Sequence, residues 1–317
     1  MSKSKKILIA ALAATVPFIG SGAMAQEKGL ISIIVNDMSN PYWQTEGTIA
    51  EQTARELGYE ANVSSHVGDT NTESNQIDTA ITNQASAIIL DPANADGSIG
   101  AVRKAVDAGI PVFIVNAEIN QQGLAKAQLV SNNAQGAALG AQEWAQQLGG
   151  EAAYVELMGP PSDNNAATRS NGYQTVLSQY PDLEKVASDI ANWDRTEGRN
   201  KMQSMLQSNP GIKGVISGND EMALGAIAAL KQEGKLDGVV VGGFDGSPDA
   251  VDAVRAGELA YTVLQPVAVF AEEAVRIADR YIRTGETGLE NEKKLYDCIL
   301  VTPDNVDLYA SPFVLEG

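Results

Sequence analysis

Polar and aromatic residues recur directly after the short apolar segments of this chain. Carboxylates, amides and a guanidinium form directed hydrogen bonds with hydroxyl groups, and an aromatic ring packs against the apolar C–H face of a sugar. These residue types therefore favour recognition of a polyhydroxylated ligand over covalent chemistry. The candidate ligand-binding residues are Asn36, Asn40, Tyr42, Trp43, Asn116, Arg169, Trp193, Asn219, Asp245 and Gln265.

The residues used in most other site chemistries are scarce. Cys298 is the only cysteine, so no intramolecular disulfide and no thiolate metal cluster is available. His66 is the only histidine, and a lone histidine is usually a surface or loop residue. We predict no metal and no cofactor. Asp220, Glu221 and Asp245 could supply an acid and a base, so an exported carbohydrate-acting enzyme remains an alternative, although no G-x-S-x-G motif occurs.

Each candidate residue also has a purely structural interpretation. Asn40-Pro41 and Ser247-Pro248 have the form of a helix N-cap followed by proline at the first helical position. We expect Asp220 to cap the next helix, while Asn219 beside it faces the ligand. Trp43 and Trp193 could be ordinary core residues, as we expect for Trp144. The same chemistry at many independent strand ends favours a shared cleft.

Short β-rich apolar segments alternate with longer helical patterns along the chain. Such alternation predicts right-handed βαβ units and parallel sheets with helices on both faces. The candidate strands are 30–35, 59–64, 87–90, 111–115, 127–131, 152–157, 185–190, 213–217, 238–244 and 259–264. They divide into two series of similar length, so the predicted fold class is α/β, with two doubly wound parallel-sheet lobes joined by a hinge. In such sheets the carboxyl ends of the strands line the ligand crevice.

Domain boundaries follow from this division. Residues 26–131 form the predicted N-terminal lobe, with 266–292 returning to it. Residues 132–265 form the predicted C-terminal lobe, together with 293–317.

The first 25 residues have the pattern of a secretory signal peptide. Lys3, Lys5 and Lys6 precede an apolar segment, and small residues at Ala23 and Ala25 predict cleavage after Ala25. The formal charge is −18, and removal of those three lysines makes it −21. This charge argues against nucleic acid and anionic membrane surfaces as partners. We expect an exported periplasmic monomer.

Several longer segments identify the family that the chain resembles. NDEMALGAIAAL (from Asn219), VVVGGFDGSPDAVDAVRAGELAYTVLQ, ISIIVNDMSNPYW and AATRSNGY resemble the ribose-type periplasmic binding proteins over essentially the whole predicted mature chain. The resemblance implies the type I periplasmic binding protein fold and a sugar held between two closing lobes. It also implies hinge crossovers near Ser131 and Gln265 and delivery of the sugar to the permease of an ABC importer. By this resemblance the sugar contacts of the first lobe are Asn40, Tyr42 and Trp43, and those of the second lobe and hinge are Arg169, Trp193, Asn219, Asp245 and Gln265. Asn36 falls where the family often has a small polar residue at the strand end.

One departure from the family bears on the ligand. After IPVFIV the ribose binders carry an Asp-Arg pair, whereas this chain has Asn116-Ala117 and then Glu118. The missing arginine suggests a ligand other than ribose, and a linear tetritol or pentitol fits best because it has no ring oxygen. Glu118 is a candidate to replace part of the lost polarity. The expected function is therefore capture of a small neutral sugar or polyol without chemistry. The alternatives are the exported enzyme and a chemoreceptor-linked sugar sensor.

Overall fold

The structure is a computed structural model that describes residues 28–310 and 313–316. The predicted signal peptide and its cleavage site lie outside these residues. Within the described part of the chain, no helix combines the length and the apolar character needed to cross a membrane.

The first lobe is built on a six-stranded, fully parallel sheet with the spatial order β11-β5-β4-β3-β1-β2. Its inner strands are short apolar runs that are buried on both faces, as expected where helices cover both sides of a sheet. The strands are β1 (Leu30–Val35), β2 (Glu60–Ser65), β3 (Ala87–Leu90), β4 (Val112–Val115), β5 (Ala127–Ser131) and β11 (Lys293–Tyr296).

The second lobe carries a four-stranded parallel sheet with the order β7-β6-β8-β9. Its strands are β6 (Glu151–Met158), β7 (Asp182–Ile190), β8 (Gly214–Ser217) and β9 (Val240–Gly242). Two short antiparallel pairs lie outside the sheets: β10 (Thr262–Leu264) with β12 (Ile299–Val301), and β13 (Tyr309–Ala310) with β14 (Val314–Leu315). Trp144 is fully buried in this lobe, where its indole NH donates to Val240 O at 3.1 Å.

Helices connect the parallel strands. They are α1 (Pro41–Glu56), α2 (Thr70–Thr82), α3 (Ile99–Asp107), α4 (Asn133–Gln147), α5 (Asn164–Leu177), α6 (Arg195–Ser208), α7 (Asp220–Gln232), α8 (Pro248–Arg255) and α9 (Val267–Thr284). All of those in the described residues except α3 and α9 begin at a side-chain cap. Asn40 caps α1 by accepting from Tyr42 N, and Ser247 caps α8 by accepting from Ala250 N. Both predicted cap-proline starts are confirmed.

Within the described residues up to Val301, the chain crosses between the lobes three times. It leaves the first sheet after β5, returns from β10 into α9, and crosses again between β11 and β12. Helix α9 packs against α1 and against strands β3, β4 and β5 of the first lobe.

One predicted boundary is wrong. We assigned residues 293–317 to the second lobe, but β11 (Lys293–Tyr296) pairs in parallel with β5 and forms the edge of the first sheet. The reason is geometric: α9 returns the chain to the first lobe, where β5 offers an unpaired edge. The last residues also reach this lobe, since Phe313 packs edge-on against Tyr42 with ring centroids 5.8 Å apart.

Candidate functional site

A small cavity lies between the two lobes, at the carboxyl ends of their strands. The empty space between its lining atoms is about 260 Å³, part of it open to solvent. A ligand with a few carbon atoms therefore fits this space best. The cavity is lined by Asn40, Tyr42, Trp43, Asn116, Asp163, Asn165, Arg169, Trp193, Asn219, Asp245 and Gln265.

Nine of the ten candidate residues lie around this cavity. The exception is Asn36, which lines a wider groove at the cleft mouth instead. Asn36 directly follows β1, whereas Asn40 and Trp43 lie at the start of α1 and extend further into the cleft. A side chain directly after β1 therefore does not reach the cavity. Trp43 and Trp193 both line the one cavity, as a shared cleft requires.

Arg169 organises the second-lobe side. Its Nε donates to Asn133 Oδ1 at 2.7 Å, and its Nη1 donates to Gly218 O at 2.8 Å and to Asp245 Oδ1 at 3.4 Å. The guanidinium also stacks on Phe244, with Cζ 3.9 Å from the ring centroid. These contacts fix the plane of the guanidinium and hold its charge beside the Asp245 carboxylate.

Gln265 extends this cluster towards the hinge. Its Nε2 donates to Asp245 Oδ1 at 2.7 Å. Its Oε1 is buried and accepts no hydrogen bond from the described residues, and the buried indole NH of Trp43 likewise donates to none of them. Buried polar atoms are normally hydrogen-bonded. The cavity therefore presents an acceptor and a donor for which a hydroxyl-bearing ligand is a suitable partner.

A hydrogen-bonded chain organises the first-lobe side. The Tyr42 hydroxyl donates to Asn116 Oδ1 at 3.0 Å, and Asn116 Nδ2 donates to Asp91 Oδ2 at 2.9 Å. Asp91 directly follows β3, a strand-end position that the sequence analysis passed over. Its backbone oxygen lies 2.8 Å from His66 Nε2. His66 is therefore a loop residue as expected, but a buried one, only 1% exposed.

The indole ring of Trp193 is fixed in position by neighbouring glycines and by hydrogen bonds. A Cβ at Gly159 would collide with its six-membered ring, and one at Gly218 would lie 2.9 Å from it, so both positions require glycine. The indole NH donates to Asp163 Oδ2 at 3.2 Å, and Asn219 Nδ2 donates to the Trp193 carbonyl at 3.2 Å. The ring is therefore in place without the ligand's help.

Three residues that line the cavity have a positive φ angle although they carry side chains. The angles are 60° for Asn116, 63° for Trp193 and 131° for Asp245. Non-glycine residues rarely occupy this region, and such strain clusters at ligand clamps and active sites. The surrounding packing holds these three side chains in orientations that favour recognition over local stability.

Asn219 and Asp220 have different roles from those predicted. Asn219, not Asp220, caps α7, since its Oδ1 accepts from Met222 N at 3.0 Å. Asp220 accepts from Ser247 N and Thr262 Oγ1, both at 2.7 Å, and so ties α7 to the loop that follows β9. Asn219 still lines the cavity, so one side chain caps the helix and faces the cleft.

Glu118 does not contribute to the cavity. It forms an ion pair with Lys293 at 2.7 Å and lies in a separate groove beside the hinge. The backbone turns at Asn116, whose φ is positive, and carries the following residues away from the cleft. Asp163 and Asn165 supply additional polarity instead, from the start of α5.

The loop before α5 and the first residues of α5 join the lobes directly. Ala95 N donates to Ser162 O at 2.9 Å, Asn164 Nδ2 donates to Asn120 Oδ1 at 2.7 Å, and Asn165 Nδ2 donates to Asn116 O at 3.3 Å. We call Ser162, Asn164 and Asn165 the interlobe latch. The sequence analysis missed this latch, although Asp163 has the type and position of an N-cap.

Burial shapes the electrostatics of the cavity. It raises the pKa of Asp245 well above its ordinary value, while Arg169 opposes the rise. It also raises the pKa of Tyr42 well above its ordinary value, with Glu46 adding to the rise. The phenol is therefore neutral and available as a hydrogen-bond donor at physiological pH.

Two parallel-sheet lobes, three crossovers and a small polar cavity between strand ends define a protein that captures a solute by closing over it. The family model for the periplasmic binding protein domain matches residues 31–287, and the chain belongs to this family. The resemblance to ribose-type binding proteins is confirmed.

Two similar relatives have known ligand classes in their names. The D-apiose import binding protein of Actinobacillus succinogenes is 48% identical over 95% of this chain and 96% of the relative. The xylitol-binding protein of Mycolicibacterium smegmatis is 34% identical over 94% of this chain and 84% of the relative. Among solved structures, an ABC transporter solute-binding protein from Bacillus halodurans with bound myo-inositol is 29% identical. The two structures superpose with a TM-score of 0.82, and the match covers 89% of this chain and 96% of the Bacillus halodurans chain.

Proposed function

We propose that this periplasmic binding protein, the sugar-capturing component of an ABC importer, binds D-apiose. The observation that carries this proposal is the closed cavity itself, which is small and presents the unpartnered Gln265 Oε1 and Trp43 Nε1. A branched five-carbon sugar is small and rich in hydroxyl groups. The 48% identity with a D-apiose import binding protein supports this choice among five-carbon ligands.

A linear pentitol is the second candidate ligand. Asn116 stands near the position where ribose binders carry an arginine, and its side chain is already engaged by Tyr42 and Asp91. A ligand without a ring oxygen does not need that arginine. The 34% identity with a xylitol-binding protein supports xylitol as the pentitol to test.

The proposed mechanism is capture without chemical change. In the open protein the ligand would first meet one lobe, and closure would bring the opposite tryptophan and the interlobe latch together around it. Ligand binding shifts the open–closed equilibrium only by its preference for the closed state. The closed shape would then be presented to the membrane permease, the sugar still intact. We expect export with cleavage after Ala25 and a monomeric mature protein.

Isothermal titration calorimetry with D-apiose, xylitol, ribitol, erythritol and D-ribose tests the ligand. We expect D-apiose to bind most tightly and xylitol to be next, with D-ribose weaker than both. Nuclear magnetic resonance of the sugar released by denaturation tests capture without chemistry. Tight binding of D-ribose with no response to D-apiose or xylitol would contradict the proposed ligand, and an altered sugar would favour the enzyme alternative.

A further inference from the structure

Asn133 lies directly behind the cavity, at the point where the chain enters the second lobe. It is the first residue of α4 and follows β5, which ends at Ser131. Its side chain is buried, with 5% exposure. The residues that line the cavity include its neighbour Arg169 but not Asn133 itself. Asn133 can therefore influence a bound sugar only through other residues.

The side-chain amide of Asn133 makes three hydrogen bonds to different parts of the site. Its Oδ1 accepts from Arg169 Nε at 2.7 Å. Its Nδ2 donates to Ser131 O at 3.1 Å and to Asn165 Oδ1 at 2.9 Å. Since an arginine Nε can only donate, the amide oxygen must face Arg169 and the NH2 group must face the other two partners. The orientation of the amide is thus fixed, and both of its hydrogens are used.

Asn165 carries this network to the first lobe. Its Oδ1 accepts from Asn133, and its Nδ2 donates to the main-chain oxygen of Asn116 at 3.3 Å. Both Asn165 and Asn116 are buried. The side chain of Asn116 in turn accepts from the Tyr42 hydroxyl at 3.0 Å. One series of hydrogen-bonded residues therefore joins Arg169 on the second-lobe side of the cavity to Tyr42 on the first-lobe side.

Close packing of α4 against α5 holds this network in register. Asn165 and Arg169 are four residues apart, so they lie on the same face of α5, and both are bonded to Asn133 on α4. Further along the two helices, a Cβ at Gly172 would lie only 2.6 Å from Ala137 Cβ. The helices thus approach as closely as glycine allows. Asn133 therefore keeps a fixed position relative to the two residues that it bonds on α5.

We propose that Asn133 is a positioning residue that couples the orientation of Arg169 to closure of the two lobes. The proposal rests on the proposed function, since it concerns the same cavity. Separation of the lobes would withdraw Asn116 O from Asn165, whose amide could then turn and leave Asn133 without a fixed acceptor. Closure restores the whole series, and hydrogen bonds in series strengthen one another. The bonds that orient the guanidinium for the sugar are then linked to those that join the lobes.

Two substitutions separate the two roles of Asn133. Asn133→Ala removes the acceptor for Arg169 and the donor to Asn165, so D-apiose affinity should fall by roughly 10- to 100-fold in calorimetry. Asn133→Asp keeps an acceptor for Arg169 but has no donor. The Asn165 amide should then turn its Nδ2 towards the new carboxylate and release Asn116 O. D-Apiose should dissociate roughly 2- to 10-fold faster in stopped-flow measurements, with the association rate changed by less than about twofold.

A matched control is available on the same helix. Gln142→Ala removes an exposed amide from α4, and it should leave both rates within about twofold of wild type. Dissociation from Asn133→Asp as slow as from wild type would overturn the inference, because the bond to Asn165 would then play no part in holding the sugar.

A double-mutant cycle tests whether Asn133 acts through Asn165. Effects of residues in one hydrogen-bonded network do not add, whereas effects of residues without shared partners do. Adding Asn165→Ala to Asn133→Ala should therefore change the dissociation rate by less than about twofold. Asn164 bonds to Asn120 instead, so adding Asn164→Ala should multiply the rate by the factor that it produces alone. An equally independent effect of Asn165→Ala would refute the coupling even though sugar binds.

Nuclear magnetic resonance gives a test that does not need the sugar. The Nε–H signal of Arg169, assigned by its absence from Arg169→Lys, should exchange slowly with water in the wild-type protein and in Asn133→Asp. It should exchange quickly in Asn133→Ala. Should Asn133→Ala fail to fold, Asn133→Asp replaces it in the cycle. If neither D-apiose nor xylitol binds, the proposed function fails, and this signal alone decides whether Asn133 orients the guanidinium: slow exchange retained in Asn133→Ala would show that it does not.

Discussion

The guanidinium of Arg169 is buried between the Asp245 carboxylate and the ring of Phe244, and it is oriented through Nε by Asn133. One side chain thus couples three elements of the second lobe to the cavity. A planar, fixed donor of this kind suits a ligand with several adjacent hydroxyl groups.

Arg169→Lys tests this arrangement. Lysine retains the charge but loses the stacking on Phe244 and the oriented bond to Asn133. Charged hydrogen bonds contribute about 1.5–3 kcal/mol each, so sugar affinity should fall by roughly 10- to 100-fold in calorimetry. Arg199→Lys is the control, since in the described part of the chain the Arg199 side chain bonds only to Gln232, at the exposed surface. Affinity within about twofold of wild type in Arg169→Lys would show that the guanidinium is not a ligand contact.

The interlobe latch should act on ligand release. Asn164→Ala removes the 2.7 Å bond to Asn120 across the cleft. An ordinary hydrogen bond contributes about 0.5–1.5 kcal/mol, so the sugar should dissociate roughly 2- to 10-fold faster in stopped-flow measurements. Asn171→Ala provides the comparison on the exposed face of the same helix. Equal dissociation rates in the two variants would show that the Asn164 contact of the interlobe latch does not slow sugar release.

Intrinsic fluorescence should separate the three tryptophans. Trp43 and Trp193 line the cavity, whereas Trp144 is packed edge-on against Tyr154 in the second-lobe core. Sugar should therefore change the emission spectrum of the wild-type protein and of Trp144→Phe. Trp193→Phe should lose a substantial part of that change. A ligand response that depends on Trp144 would contradict the placement of the site.

Asp220→Ala should destabilise the second lobe. It leaves Ser247 N and Thr262 Oγ1 without their buried acceptor, at a cost of about 1–3 kcal/mol for each unsatisfied group. The free energy of unfolding in urea should fall by about 2–4 kcal/mol. Asp249→Ala, at an exposed salt bridge, should change it by less than about 1 kcal/mol. If Asp220→Ala lowered the free energy of unfolding no more than Asp249→Ala, the hydrogen bonds of Asp220 would not be what stabilises the Ser247 loop.

The thiol of Cys298 should resist alkylation in the folded protein. It is 3% exposed, and burial raises its pKa to about 12. Only about one molecule in ten thousand then carries a thiolate at pH 8. Iodoacetamide should modify the native chain far more slowly than the urea-unfolded chain, as measured by mass spectrometry. Similar modification rates in the native and unfolded chains would show that the segment around Cys298, the crossover between β11 and β12, opens readily.

Much of the fold and most of the cavity follow from the sequence, because strand-end polarity is a local pattern. Asn116, Asp245 and Gln265 come directly after apolar runs, and parallel topology brings such positions together. Asp91 also comes directly after an apolar strand, so the same pattern could have identified it as a candidate residue.

Other features depend on tertiary contacts that no local pattern encodes. Asn219 and Asp220 are adjacent and both suit an N-cap, and only the position of the Ser247 loop decides between them. The four residues of β11 have no sequence feature that identifies β5 as their neighbour. Asn165 of the second lobe donates to Asn116 O of the first lobe, so its role depends on how the two lobes are placed.

The position of β11 has a consequence for the order in which the chain can fold. The four strands of the second sheet come from one continuous stretch, 151–242, whereas the first sheet is complete only when residues 293–296 join it. A polypeptide emerging with its amino end leading can thus complete the four-stranded sheet of its later lobe while the sheet of the earlier lobe still lacks its edge strand. Truncation shortly before β11 would leave the first sheet with an exposed margin at β5, where another chain could pair.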